Sequence, residues 1–219
     1  MATEKKFIPA LGYRWLTGLY DVMIRITMPE AKFRRRLIDF VAPGDQEKIL
    51  EFGFGTAQNL IVAYEANSNA SYSGVDIDKA VKIIAEAKLS KRQIQIDLDL
   101  YDGITLPYSD NVYDKVFSSL VFHQLDRETK LVCLRELLRV LKPGGVLIIG
   151  DWGEAKSSLM RLTFYAVQLL DGFKTTTDNV KGLLPQFIKR AGFAGVEESG
   201  FINTSIGSYC YYVASKSRH

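Results

Sequence analysis

Short apolar runs alternate with segments of helical periodicity along most of the chain. Buried strands of a parallel sheet form nearly continuous apolar runs, whereas a covering helix carries apolar residues three and four positions apart. The runs predict strands at 47–52, 71–76, 93–99, 113–119, 145–151, 196–202 and 207–215. The helical periodicity predicts core helices at 57–66, 78–88, 126–141 and 179–191. Strands and helices that alternate in this way indicate a parallel sheet with covering helices.

The connection between the last two predicted strands is short enough for a hairpin. It consists of Ser205-Ile206-Gly207-Ser208, whereas parallel neighbours would need a crossover of roughly a dozen residues or more. The final strand is therefore predicted to be antiparallel. The fold class that follows is α/β: a Rossmann-like, doubly wound, mostly parallel seven-stranded sheet with an antiparallel last strand and helices on both faces.

The first predicted strand leads into the most informative stretch, residues 48–60. Glu51 ends the apolar run, Gly53 and Gly55 follow two residues apart, and a helical pattern then begins. Glycines at a strand-to-helix turn let the backbone bend sharply and let a ligand approach closely. About twenty residues further on, Asp76 ends the second apolar run, at the spacing of a carboxylate that binds a ribose. The pattern predicts a site for a nucleoside-containing cofactor.

The glycine pattern argues against a dinucleotide. Dinucleotide-binding turns carry G-x-G-x-x-G, and the third glycine permits close helix–strand packing beside the pyrophosphate. Gln58 stands at that third position, after Ala57. The first two glycines are therefore present without the feature that a pyrophosphate needs.

Residues 51–57, an acid followed by x-Gly-x-Gly-Thr and a small residue, resemble motif I of the class I S-adenosylmethionine-dependent methyltransferases. Residues 102–114, 115–125 and 135–151 resemble the segments of that family around strands four and five, including a Lys-Pro-Gly-Gly turn. The resemblance covers roughly residues 45–152, in the order of the family. It is greatest to the ubiquinone/menaquinone-biosynthesis type, the methyltransferase type 11 group.

The resemblance implies that the cofactor is S-adenosyl-L-methionine, with S-adenosyl-L-homocysteine as product. The glycine turn would meet the methionine part, Glu51 would organise the loop and the amino group, and Asp76 would hold the ribose hydroxyls. Asp102 matches the adenine-contacting position, although residues 97–102 carry three carboxylates and leave the register open. The implied cofactor-binding residues are Glu51, Gly53, Gly55, Thr56, Asp76, Ile77, Asp102, Gly103 and Ser118, with Ser119 as the alternative to Ser118.

Catalysis places few demands on the protein, because methyl transfer is a displacement at an already activated carbon. Positioning can supply most of the acceleration, and a base is needed only where the acceptor must lose a proton. His123 and Asp151, near the ends of two predicted strands, are the candidate catalytic residues. Tyr13 and Tyr20 are alternative bases.

Aromatic side chains are frequent in two segments outside the core, and pockets for apolar ligands are lined by such residues. The residues predicted to contact the substrate are Tyr13, Trp15, Tyr20, Phe164 and Tyr165. They suggest an apolar or aromatic acceptor. They would also suit a quaternising amine through cation–π attraction.

With 219 residues, the chain suits a single methyltransferase domain, residues 1–219. An N-terminal helical cover is expected over 1–44 and the cofactor-binding core over 45–152. A helical substrate cover is expected over 153–178, and a helix with a strand hairpin over 179–219. The covers rest on amphipathic patterns at 10–28, 30–41 and 155–175.

Composition limits the partners. A net charge of +3 gives no phosphate-tracking surface, so no nucleic-acid partner is expected. The basic runs Lys5-Lys6 and Arg34-Arg35-Arg36 allow at most peripheral membrane contact, and no stretch of about twenty apolar residues predicts a span. Only two histidines occur, so no metal site is expected. Cys133 and Cys210 resemble core thiols, which fits a reducing, cytoplasmic location without a signal peptide.

The sequence thus predicts an S-adenosylmethionine-dependent methyltransferase with a small, hydrophobic or lipid-like acceptor. Quinone-type C-methylation and phospholipid or amine N-methylation are both open, and so is the oligomeric state, a homodimer included. Two alternatives belong to other classes: an NAD-dependent oxidoreductase, and a non-catalytic binding protein that keeps the methyltransferase fold.

Overall fold

The structure, a computed structural model, describes residues 30–154, 173–204 and 207–218. Within these ranges the helices are α1 (Glu30–Val41), α2 (Gln58–Ala66), α3 (Lys79–Lys91), α4 (Arg127–Val140), α5 (Phe173–Val180) and α6 (Leu184–Ala191), with one 3₁₀ turn at Phe122–Gln124. The strands are β1 (Lys48–Phe52), β2 (Ser71–Asp76), β3 (Asp97–Leu100), β4 (Tyr113–Ser119), β5 (Leu141–Trp152), β6 (Ala194–Asn203) and β7 (Ser208–Ser215).

All seven described strands form one sheet in the order β3-β2-β1-β4-β5-β7-β6. The first five strands in this order pair in parallel. Strand β7 is antiparallel to both of its neighbours, β5 and β6. This confirms the predicted fold class. The order also reverses between β1 and β4, and ligands of open α/β sheets bind at the carboxyl ends of strands beside such a reversal.

Helices cover both faces of the sheet, and each face has its own hydrophobic core. Helices α1, α2 and α3 contribute Leu37, Leu60 and Leu89 to one core. Helices α4 and α6 contribute to the other core, which includes Leu134. Successive residues of a strand point to opposite faces, so β1 supplies apolar side chains to both cores. Strand β1 is therefore buried on both sides, and Glu51, which lies within it, is buried as well.

The helix predicted at 179–191 is wrong, because the structure has two helices there. Helix α5 ends at Val180 and α6 begins at Leu184. Gly182, with φ +67°, lies between them, and its N–H donates to the carbonyl of Asn179 at 2.9 Å. A left-handed residue cannot continue an α-helix, so the chain turns at this glycine. Periodicity alone does not detect this turn.

Several strand boundaries also differ from the prediction, and two strand starts differ by four residues. Strand β3 starts at Asp97 instead of residue 93, since Gln93 has φ +57° and the N–H of Ile94 still bonds to the carbonyl of Leu89 at the end of α3. Strand β5 starts earlier than predicted, at Leu141. The predicted helix at 30–41 is confirmed.

The remaining cover predictions lie outside the described residues. They are the helix at 10–28, most of the segment at 155–175, and the candidate substrate residues Tyr13, Trp15, Tyr20, Phe164 and Tyr165. Among the helices that are described, none combines the length and the apolar character needed to cross a membrane.

Candidate functional site

In the turn between β1 and α2, every second residue from Gly53 to Ala57 has a left-handed backbone. Gly53, Gly55 and Ala57 have φ values of +74°, +52° and +59°. A Cβ on Gly53 would lie 2.3 Å from Cγ2 of Val121, whereas a Cβ on Gly55 would have no heavy atom of the described residues within 4 Å. Gly53 is therefore required by its neighbours, and Gly55 leaves open space above the turn.

Asp76 is held across from this turn by backbone N–H groups. Its Oδ2 accepts from Gly55 N at 2.9 Å, and its Oδ1 accepts from Ile77 N at 2.7 Å and from Asp78 N at 3.0 Å. The cap of α3 is a different carboxylate, since Asp78 accepts from Ala80 N at 2.7 Å. Asp76 is thus fixed in orientation at the carboxyl end of β2 without serving as the helix cap.

Glu51 is fully buried below the turn and belongs to a chain of polar side chains. Its Oε1 accepts from Nδ2 of Asn59 at 2.7 Å, and Oδ1 of Asn59 accepts from Nη1 of Arg34 at 2.5 Å. Its Oε2 has no hydrogen-bond partner among the described residues. Burial raises the pKa of Glu51 from its ordinary 4.5 to about 8, against the opposing effects of Asn59 and Arg34.

Asp102 and Gly103 lie on the exposed loop after β3. Oδ1 of Asp102 accepts from Ile104 N and Thr105 N, both at 2.8 Å, and these bonds lower the pKa of the carboxyl group. Gly103 has φ +84° and open space where a side chain would be. Ile104 is exposed, as is Ile77 after β2. Exposed apolar residues at the carboxyl ends of β2 and β3 suit a planar ring such as adenine.

Two predicted cofactor residues have hydroxyl groups that are already bonded within the protein. Ser118, which is buried, donates to the carbonyl of Phe52 at 2.8 Å. Thr56 accepts from Nζ of Lys88 at 2.7 Å. The hydroxyl of Ser119, the alternative to Ser118, pairs with a tyrosine of β7. In this arrangement the three hydroxyls support the strands and the turn.

His123 and Asp151 lie together at the ends of β4 and β5. Nδ1 of His123 is 2.7 Å from Oδ1 of Asp151, and the backbone N–H of His123 donates to Oδ2 at 3.1 Å. The N–H of Trp152 donates to Oδ1 at 2.7 Å. Because the carboxylate accepts from several donors, His123 carries its proton on Nδ1, and Nε2 is the basic nitrogen. Both residues are buried.

Further buried polar side chains lie on α4 and α5. They are Lys130, Thr176, Asp178 and Asn179. Burial lowers the pKa of Lys130, although the neighbouring Asp178 and Asp151 oppose the shift. Asp178 also accepts from Nη2 of Arg127 at 2.6 Å. These residues belong to no motif, and only their burial identifies them.

The residues around the glycine turn suit S-adenosylmethionine. Oε2 of Glu51 is a buried acceptor that lacks a donor, and an ammonium group is such a donor. Asp76 presents a carboxylate to the same turn. Within the part of the chain that the structure describes, open space lies at both Gly55 and Gly103. Among the described residues, no group of three or more His, Cys, Asp or Glu side chains could hold a metal ion.

Comparison with known proteins agrees with this geometry. The family described as "Methyltransferase domain" matches residues 50–149. An uncharacterised methyltransferase of Bacillus licheniformis is 32% identical over 150 residues, which are 67% of this chain and 68% of that protein. A demethylmenaquinone methyltransferase of Thermus thermophilus is 28% identical over 132 residues. That match covers 59% of each protein, so the chain spans less than two thirds of this relative.

The fold is shared with solved structures as well. A methyltransferase from Methanosarcina mazei, described as S-adenosylmethionine-dependent, superposes with a TM-score of 0.64 at 18% identity. The superposition covers 83% of this chain and 98% of that one. Sheet order, glycine turn and family match therefore agree on the cofactor, and the chain belongs to the class I S-adenosylmethionine-dependent methyltransferases.

Proposed function

We propose that this methyltransferase acts on a small hydrophobic acceptor whose aromatic ring carries an ionisable hydroxyl group, as in a quinol. The observation that carries the proposal is the buried pair of His123 and Asp151, with Nδ1 and Oδ1 2.7 Å apart. A base held in a fixed tautomer is useful only where the acceptor must lose a proton. A ring hydroxyl meets this requirement.

When bound, S-adenosylmethionine supplies an electrophilic methyl group. Nε2 of His123 would take the hydroxyl proton, so that the electron pair of the ring oxygen makes the adjacent ring carbon nucleophilic. Asp151 would stabilise the imidazolium that forms. The new bond would join this carbon to the methyl group as the bond between the methyl carbon and the sulfur breaks, with S-adenosylhomocysteine as the leaving group. The C–H proton of that carbon would then pass to the ring oxygen, which restores the aromatic hydroxyl, and His123 would release the proton it took to solvent. The protein's part is to orient the acceptor and to move one proton.

Two further features support this acceptor class. The relative from Thermus thermophilus is named a demethylmenaquinone methyltransferase. The acceptor in that name is a hydrophobic molecule with an aromatic ring. Asp151 and His123 are also buried, and a water-poor site strengthens the attraction between a carboxylate and an imidazolium. An amine that is methylated as a free base would need neither residue as a base.

The remaining assignments belong to the same proposal. Cofactor contacts are expected from Glu51, Gly53, Gly55, Thr56, Asp76, Ile77, Asp102, Gly103 and Ser118. Within a single domain, residues 45–152 would form the cofactor-binding core, and 1–44 and 153–178 would cover the acceptor. The two buried cysteine thiols, Cys133 and Cys210, support a reducing, cytoplasmic location.

The test compares acceptors and variants in one assay. Purified protein is incubated with methyl-labelled S-adenosylmethionine and either a reduced 2-unsubstituted naphthoquinone with an isoprenoid chain or phosphatidylethanolamine. We expect label in the quinol alone. His123→Gln and Asp151→Asn should each lower kcat by about 10²–10⁴-fold, with the Kd for S-adenosylhomocysteine within about twofold of the wild type. Label in the amine lipid, or full kcat in His123→Gln, would contradict the proposal.

A further inference from the structure

The side chain of Arg34, on α1, is connected to the carboxyl group of Glu51 through one residue, Asn59. Nη1 of Arg34 donates to Oδ1 of Asn59 at 2.5 Å, and Nδ2 of Asn59 donates to Oε1 of Glu51 at 2.7 Å. Arg34 is itself fixed by Glu30, one helical turn earlier, through both Nε and Nη2. This path joins α1, β1 and α2, three consecutive elements of the chain.

We propose that Arg34 is a positioning residue for cofactor binding, which acts through Asn59 to keep the Glu51 carboxyl group oriented and ready to ionise when a cationic amino group arrives. The proposal rests on the proposed contact between Glu51 and the cofactor. It does not depend on the identity of the acceptor.

The amide of Asn59 transmits both orientation and polarity. Because its Oδ1 accepts from a guanidinium, its Nδ2 must be the atom that faces Glu51, and the amide cannot flip without losing the bond to Arg34. Oε1 of Glu51 is thereby occupied, and Oε2, which has no partner among the described residues, is the oxygen left for a ligand. Arg34 thus determines which carboxyl oxygen meets the cofactor.

Arg34 also contributes a positive charge near a buried acid. Burial raises the pKa of Glu51 to about 8, while Asn59 and Arg34 oppose this shift and Asp76 adds to it. In the chain without ligand, Glu51 therefore holds its proton at pH 7, and it must release the proton to pair with an ammonium group. Removal of the Arg34 charge would make that release harder.

Among the described residues, the charged groups that act on this path are Glu30 and Arg34 on α1, Asp76 at the end of β2 and Lys88 on α3, which is itself influenced by Arg92. Burial lowers the pKa of Lys88, and the charge of Arg34 adds to this shift. Lys88 donates to Thr56 in the glycine turn, so its contribution to a pH profile needs a separate variant.

The experiment measures the Kd for S-adenosylhomocysteine by calorimetry at several pH values between about 6 and 8.5, for the wild type and Arg34→Gln. Ionisation of one group changes affinity by up to about tenfold per pH unit below its pKa. We expect wild-type binding to tighten as pH rises towards about 8. In Arg34→Gln the Kd should be about tenfold higher at pH 7, and the increase of affinity with pH should occur at higher pH values than in the wild type.

Four variants complete the design. Arg35→Gln, an exposed neighbour on α1, is the matched control and should follow the wild type. Arg34→Lys keeps the charge and should restore part of the affinity, and it replaces Arg34→Gln if circular dichroism shows that variant to be unfolded. Asn59→Ala should weaken binding, and adding Arg34→Gln to it should weaken binding little further. Lys88→Gln identifies any part of the profile that belongs to Lys88.

Different results would contradict the role of Arg34 and the contact between Glu51 and the cofactor. A uniform loss of affinity at every pH in Arg34→Gln, or a profile equal to the wild type, would overturn the role of Arg34. Glu51→Gln should abolish the pH dependence below about 8, because the titrating group is gone. If Glu51→Gln kept the wild-type profile, the contact between Glu51 and the cofactor would itself be wrong.

Discussion

The hydroxyl groups of Ser119 and Tyr209 lie 2.8 Å apart although 90 residues separate them in the sequence. Ser119 ends β4 and Tyr209 belongs to β7, so their bond passes over β5. It does so at Gly150, which pairs with Ser119 in the sheet. A Cβ on Gly150 would lie 2.1 Å from the hydroxyl oxygen of Tyr209. The glycine therefore makes room for a bond between two strands that are not neighbours.

Loss of this bond should destabilise the fold. Ser119→Ala leaves the hydroxyl of the fully buried Tyr209 without the partner at 2.8 Å, which we expect to lower the free energy of unfolding by about 1–3 kcal/mol. Urea denaturation measures the change. In Ser119→Ala/Tyr209→Phe both polar groups are gone, so this double variant should be more stable than Ser119→Ala. Equal stability of the two would contradict the bond's importance.

The two glycines of the turn should respond differently to alanine. Gly53→Ala places its Cβ 2.3 Å from Val121 and should lower the melting temperature strongly. A Cβ at position 55 meets no atom of the described residues, so the cost of Gly55→Ala comes from the left-handed backbone, about 1–2 kcal/mol. It should nonetheless weaken S-adenosylhomocysteine binding, because the methyl group enters the open space above the turn. Thermal melts and calorimetry separate the two effects.

A matched control tests the origin of the Gly53 effect. Val121→Ala removes the methyl group that the new Cβ would meet, so Gly53→Ala/Val121→Ala should recover part of the stability lost in Gly53→Ala. Additive losses in the double variant would show that backbone strain alone explains the effect.

Asp76 and Asp78 offer a sharp contrast between binding and capping. Asp76→Ala should weaken S-adenosylhomocysteine binding by about tenfold or more, since two charge-assisted hydrogen bonds to a ribose would be lost. Asp78→Ala removes the cap of α3 and should cost about 1 kcal/mol of stability with little change in affinity. Unchanged affinity in Asp76→Ala would show that the ribose site is wrongly placed.

The buried Glu51 should make the fold less stable as pH rises. The unfolded chain releases this proton near pH 4.5, whereas the folded chain holds it up to about pH 8. Between these values the unfolded state gains stability by ionising, so the free energy of unfolding falls with pH, by up to about 1.4 kcal/mol per pH unit. Glu51→Gln should thus stabilise the protein more at pH 8 than at pH 5. An equal effect at both pH values in urea denaturation would contradict the shift.

The sequence predicted all seven described strands, and two of them with both of their bounds. The predicted strands at 71–76 and 113–119 match β2 and β4 residue for residue. It failed where one backbone torsion decides the outcome. Gly182 and Gln93 both have positive φ, and no periodicity records a single left-handed residue. The split of the predicted helix at 179–191 is the clearest case.

Likewise, only some residues of the candidate site could be predicted from the sequence. Glu51, Gly53, Gly55 and Asp76 belong to a local motif, so their proximity could be predicted from spacing. Arg34 and Asn59 could not be found in this way, because their contact depends on how α1 packs against α2 in three dimensions. In the sequence, Arg34 is distinguished only as part of a basic run.

Strand β7 follows β6 in the chain but lies between β5 and β6 in the sheet. During synthesis, residues 194–203 therefore leave the ribosome before the strand that pairs with them exists. Until residues 208–215 follow, the edge of β5 has no strand beside it, and an open edge can pair with another chain. Completion of the sheet thus depends on a segment that is translated after the other described strands, and ribosome-bound chains that stop before residue 208 should depend most on chaperones.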